Sequence, residues 1–125
     1  MPTAFSQAAL AEAKRMFDEA KSNYTQSSNL FAAMTNAKYE YEPFRWVVVD
    51  LENKLKDAQL DNAERDIKIY EYKLAEARKE LRRLGDKYTA AQKALGFRDP
   101  KEDREKFEKA SDHLGKMEAL AAQQK

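Results

Sequence analysis

The sequence predicts an all-α fold: an elongated antiparallel helical bundle or coiled coil of three helices with a long central helix. Three observations carry this expectation. Leu60, Ala63, Ile67, Tyr70, Leu74, Ala77, Leu81, Leu84, Tyr88, Ala91 and Leu95 form an unbroken series whose spacings alternate 3 and 4, which places all of them on one helical stripe. Charged residues make up 36% of the chain and hydrophobic residues 42%, a balance that suits thin helical rods better than a thick core. Three glycines and three prolines leave little material for long flexible linkers.

Taken in order, helix 1 is expected over about residues 3–41, within a single helical domain covering residues 1–125. Its stripe reads Leu10, Ala13, Phe17, Ala20, Tyr24, Ser27, Phe31 and Met34, then Lys38 and Tyr41. Large and small side chains alternate, so a partner helix can approach at the small ones while the aromatics fill space opposite. Pro43 lacks a backbone donor and pushes Glu42 toward extended geometry, which predicts a break there. An alternative for residues 39–49 is a short β-hairpin, because Val47, Val48 and Val49 are β-branched.

Helix 2, the long central helix, is expected over about residues 44–95, roughly 78 Å at 1.5 Å per residue. Its first stripe, Phe44, Val48, Leu51, Leu55 and Ala58, must shift by about one residue to join the series at Leu60, a stutter in the heptad pattern. Acid-before-base pairs four apart, such as Asp50 with Lys54 and Glu52 with Lys56, mark its solvated face. Gly96 predicts a left-handed cap, with Phe97 available for the accompanying apolar contact. Asp99, Pro100 and Glu102 then read as N-cap, first-turn proline and capping-box partner of helix 3, over about residues 100–122. Its stripe is Phe107, Ala110, Leu114, Met117 and Ala121.

The short connection between helices 2 and 3 predicts an antiparallel hairpin in which Ala91 faces Phe107, Tyr88 faces Ala110, Leu84 faces Leu114 and Leu81 faces Met117. Gly85 and Gly115 fall beside the Leu84/Leu114 layer and suggest close backbone approach. Folding helix 1 back about Pro43 would set Tyr24 against Ala63, Phe17 against Tyr70 and Ala13 against Leu74. The competing topology is one bent helix from residue 3 to 95 that pairs between subunits, since a heptad seam serves either arrangement.

The same residues bound the function. Lys and Arg total 23 against 22 Asp and Glu, so no bulk electrostatic partner follows. Without cysteine, thiolate metal sites, disulfides and cysteine nucleophiles are excluded. His113 is the one histidine and has no glutamate three residues before it, so metal-binding helix motifs do not fit. No phosphate loop, nucleophile elbow or dinucleotide fingerprint occurs. No cofactor or small-molecule substrate is therefore expected, and the expected setting is intracellular and soluble or particle-associated, without a signal peptide or membrane span.

The expectation is a non-enzymatic scaffold or assembly protein, such as a small structural or virion component, acting through coiled-coil self-association or partner-helix packing. Trp46, Val47, Val49, Ile69 and Tyr72 lie off the main stripes, together with Met16 and Leu30, and mark a homo-oligomer contact, with a dimer expected from symmetry. The alternative is an adaptor for nucleic acid or anionic membrane through the basic cluster Arg78, Lys79, Arg82, Arg83 and Lys87.

Overall fold

The computed structural model describes residues 4–123, with side chains from residue 7 onward. It is helical almost throughout: α1 spans Ala4–Leu60, α2 Glu64–Leu95 and α3 Pro100–Gln123, with no strand among the described residues. The proposed hairpin at 39–49 is thus helix, and residue 3, the expected start of helix 1, lies outside the described residues. The chain divides into two compact units, Met1–Phe31 with Phe97–Lys125, and Ala32–Gly96.

The expected break at Pro43 does not occur, because Pro43 sits inside α1. An interior proline costs about 3 kcal/mol. Here it lies on the solvent side, where the Tyr39 carbonyl it orphans can bond water, while Tyr41, Phe44 and Val48 are held in the seam.

The break falls instead at Asp61–Ala63, inside the expected central helix. Asn62 has φ 53°, the left-handed conformation that asparagine tolerates better than other side-chain-bearing residues. Its N–H donates to the Gln59 carbonyl at 3.2 Å, and the Ala63 N–H to the Ala58 carbonyl at 3.0 Å. Those two bonds are the Schellman pattern that satisfies the last carbonyls of a helix. Ala63 then adopts φ −85°, ψ 80° while the Glu64 N–H donates to Asn62 O at 3.1 Å, an inverse γ-turn that reverses the chain. Glu64 and Asp66 follow in the first turn of α2, where carboxylates suit the exposed N–H groups.

In the Ala32–Gly96 unit, α2 packs antiparallel on the second half of α1. Tyr41 meets Tyr88 with ring centroids 5.9 Å apart, Lys87 Nζ lies 3.2 Å from Glu40, and Arg78 lies 3.5 Å from Glu52, so each step up one helix is a step down the other. Val48, Leu74 and Ala77 form the buried cluster, with Phe44, Leu51, Leu55 and Leu81 packed against it. The stripe expected on α2 is buried or half-buried from Ala63 to Leu95, whereas Leu60 is 80% exposed because the turn carries it out of the seam.

In the other unit, α3 packs antiparallel on the first half of α1. Phe107 inserts between Phe17 and Tyr24, with centroids 5.3 and 5.8 Å away. Ala13, Ala110 and Ser27 are the buried small residues beside these rings, and the Ser27 hydroxyl donates to the Tyr24 carbonyl at 3.2 Å. Arg98 reaches Gln26 Oε1 at 3.0 Å and the Asn23 carbonyl at 3.3 Å. The stripe expected on α3, from Phe107 through Ala121, is buried or half-buried throughout.

The partners of those stripes therefore differ from the expected layers. Tyr88 packs on Tyr41 rather than Ala110, and Phe107 on Phe17 and Tyr24 rather than Ala91. The physical reason is the position of the reversal: with the turn at 61–63, residues 32–60 of α1 cover α2. Phe31 also departs from its expected seam position and is 47% exposed. The buried stripe steps from Ser27 to Leu30, then to Met34, Ala37 and Tyr41, a three-residue shift of heptad phase.

The caps follow the sequence in part. Asp99 Oδ1 accepts from the Lys101 N–H at 2.9 Å, so Asp99 caps α3, through the second helical N–H and not the Glu102 N–H. Gly96 has φ 57° and ψ −129°; the positive φ was expected, but the ψ lies outside the left-handed helical well and is open to glycine alone. Phe97 is fully exposed and makes no capping contact, since that ψ turns the chain away.

Candidate functional site

Of the side chains expected to mark the association contact, Leu30 is instead half-buried in the stripe of α1, and the others are exposed; Trp46, Val47, Val49, Ile69 and Tyr72 do not come together in one patch. Trp46 is 73% exposed, Tyr72 70%, and Val47, Val49 and Ile69 are also on the surface. At about 100° per residue, Val47 and Val49 fall on opposite flanks of the seam residue Val48. The pairing of Tyr41 with Tyr88 and Glu52 with Arg78 sets Trp46 level with about Arg83. Ile69 and Tyr72 then lie roughly 16 to 21 Å nearer the turn.

What surrounds Trp46 is a shallow depression of about 520 Å³, floored by Val48, Val49 and Leu81 and edged by Glu42, Arg45 and Glu52. Leu81 comes from α2 and the rest from one face of α1, at spacings of 3 and 4 that stack side chains on a helix. Glu42, Arg45 and Glu52 escaped the sequence reading because charged residues at such spacing ordinarily signify only a solvated face. Their proximity to Trp46 in sequence was the available signal.

The basic cluster spreads rather than concentrates. Arg78, Lys79, Arg82, Arg83 and Lys87 wrap roughly half the circumference of α2 at about 100° per residue. Four of them already face carboxylates: Arg78 with Glu52, Lys79 with Glu76 at 3.4 Å, Arg83 with Glu80, and Lys87 with Glu40. Among the described residues Arg82 alone of the five makes no ion pair. The Arg83 guanidinium donates to Glu80 and holds that carboxyl below the usual carboxylate range, and Arg83 is raised in turn. Exposed pairs of this kind contribute little to stability, yet they cancel the local field that a phosphate would need.

No family model, curated protein or solved structure matches the chain. Among the described residues no group of three or more His, Cys, Asp or Glu could hold a metal ion, and no helix is long and apolar enough to cross a membrane.

A second surface lies where α3 packs on the start of α1; of its residues the sequence marks only Met16 as a contact candidate, Ala20 and Ala110 reading as seam positions and His113 as a lone histidine. Met16, Ala20 and Ala110 floor a groove of about 420 Å³, rimmed by Lys106, Lys109 and His113. The sequence pairs Glu102 with Lys106 and Glu105 with Lys109, but among the described residues neither lysine makes an ion pair. The carboxylate partner formed on α3 is Glu108, with Arg104 at 3.0 Å. An adjoining cleft shares Met16, Ala20 and Lys106 and adds Asp103 and Glu19.

Proposed function

We propose that this protein is a non-enzymatic helical assembly protein that acts through side-by-side, coiled-coil-type packing with other copies of itself, Trp46 being the anchor. One observation carries the reading: the sole tryptophan is 73% exposed and lines a shallow depression that it shares with Val48, Val49 and Leu81. Large aromatics set in apolar surroundings are the usual anchors of protein interfaces. The charges around it are of both signs, Glu42 and Glu52 against Arg45, which suits a protein partner and disfavours a polyanion.

The adaptor reading has less support, since the basic cluster is dispersed and four of its five members are paired. Sedimentation over a wide concentration range tests the proposal. The wild-type chain should associate, and Trp46→Ala should shift it toward monomer; a monomer at every concentration would overturn it.

A further inference from the structure

In the Ala32–Gly96 unit, α1 carries a second heptad series on the face turned away from α2. Tyr39, Trp46, Val49 and Leu60 are exposed. Glu42, Asn53 and Lys56, also exposed, stand at the steps between them, so spacings of 3 and 4 alternate from residue 39 to residue 60. At about 100° per residue this stripe lies across the helix from the seam of Tyr41, Phe44, Val48 and Leu55. Alternating spacing of this kind fits helix-on-helix packing, and within the unit nothing covers it.

The order of its residues selects the partner. A parallel second copy would set Glu42 against Glu42 and Lys56 against Lys56, and opposed like charges are unfavourable. Reversing the copy removes both conflicts. With a two-fold axis between residues 47 and 48, Trp46 faces Val49, Glu42 faces Asn53 and Tyr39 faces Lys56. Large then meets smaller, a carboxylate meets an amide donor, and a ring meets a cation. On the flank Arg45, which makes no ion pair among the described residues, faces Glu52. Glu52 lies 3.5 Å from Arg78 through Oε1, which leaves Oε2 open to a second donor. A slip of one heptad in either direction would instead oppose Arg45 to Arg45 or Glu52 to Glu52.

We infer that two copies pair antiparallel through this face of α1, Trp46 of each against Val49 of the other and Arg45 of each against Glu52 of the other. The inference rests on the self-association proposed above and names its surface, direction and register. Tyr39 is 69% and Trp46 73% exposed, so the four rings of a pair bring about 400 to 700 Å² of the roughly 1,200 to 2,000 Å² that a stable interface covers. Val49, Leu60 and the stems of Lys56 and Arg45 add to this. Trp46 falls next to the axis, at the centre of the contact, where anchors concentrate.

The chain has no cysteine, so single cysteines introduced into the full chain read the pairing. Glu42→Cys and Asn53→Cys replace exposed residues, and circular dichroism verifies that each variant is folded. In the inferred pair, position 42 of one copy lies beside position 53 of the other, whereas like positions stand about 16 Å apart along the axis, too far for a disulfide. Mild oxidation should therefore cross-link a one-to-one mixture about tenfold more than either variant alone, joining position 42 to position 53. In sedimentation, Arg45→Glu should raise the dissociation constant about tenfold, and adding Glu52→Arg in the same chain should restore it. If Glu42→Cys alone cross-links as readily as the mixture, the antiparallel direction is overturned. A mixture that does not cross-link, or a double charge variant no tighter than Arg45→Glu, overturns the register while self-association through Trp46 stands. A wild-type chain that stays monomeric overturns the self-association reading itself.

Discussion

The Tyr41 ring lies directly over Gly85: a Cβ built on that glycine would stand 3.2 Å from Tyr41 Cε2. The absence of a side chain at Gly85 leaves room for this ring, which meets Tyr88 with centroids 5.9 Å apart and planes tilted by 43°. Replacing Gly85 by Val should therefore destabilise the chain by about 1 to 3 kcal/mol through overpacking. In a Tyr41→Ala background the conflict is gone, and Gly85→Ala should stabilise by about 0.5 to 1 kcal/mol through helix propensity. A thermal or urea double-mutant cycle that shows additive effects would mean that the two residues do not touch.

Leu84 is buried at 6% exposure while its neighbour Arg83 is on the surface. Leu84→Ala should cost about 2 to 5 kcal/mol, and Arg83→Ala under about 0.5 kcal/mol. Similar small effects at both positions in denaturant unfolding would reject the α1–α2 packing described above.

The stripes on α2 and α3 were legible in the sequence, because an unbroken 3–4 spacing admits one buried face of a helix. Which stripe meets which was not. Every stripe mixes large and small side chains, so Tyr88 fits Ala110 on paper as well as it fits the Tyr41 beside Gly85. The position of the reversal is hidden in the sequence for a related reason. Pro43 is the louder local signal, yet on the solvent face of a packed helix its cost is tolerated. The phase shift between Ala58 and Leu60 reads as a stutter, and it is where α1 ends. Of the candidate site, Trp46 was visible as an apolar residue off the stripe, but Lys106 and Lys109 were masked by neighbouring glutamates that do not pair with them.

The turn gives its own test. Asn62 holds φ 53°, which β-branched residues reach only with strain. Asn62→Val should destabilise by about 1 to 2 kcal/mol and Asn62→Gly should be neutral or stabilising. Equal stability of the two variants would place the reversal elsewhere.

The Glu80 carboxyl titrates below an ordinary glutamate because Arg83 donates to it. By linkage, the small stabilisation from this exposed pair is present above the ordinary glutamate pKa and fades as pH falls through the depressed one. Arg83→Ala should move the Glu80 midpoint upward in an NMR titration. No movement would mean that the pair does not persist in solution.

Self-association through Trp46 is the central claim, and the chain carries a reporter in place, since Trp46 is its only tryptophan. The most direct measurement is its fluorescence emission across a wide range of protein concentration, followed with an added quencher. Trp46 is 73% exposed in the single chain, so dilute protein should emit at long wavelength and quench readily. At high concentration the emission should shift to shorter wavelength and quenching should fall as the indole is covered. Emission and quenching that stay those of a solvent-exposed indole at every concentration would contradict the account.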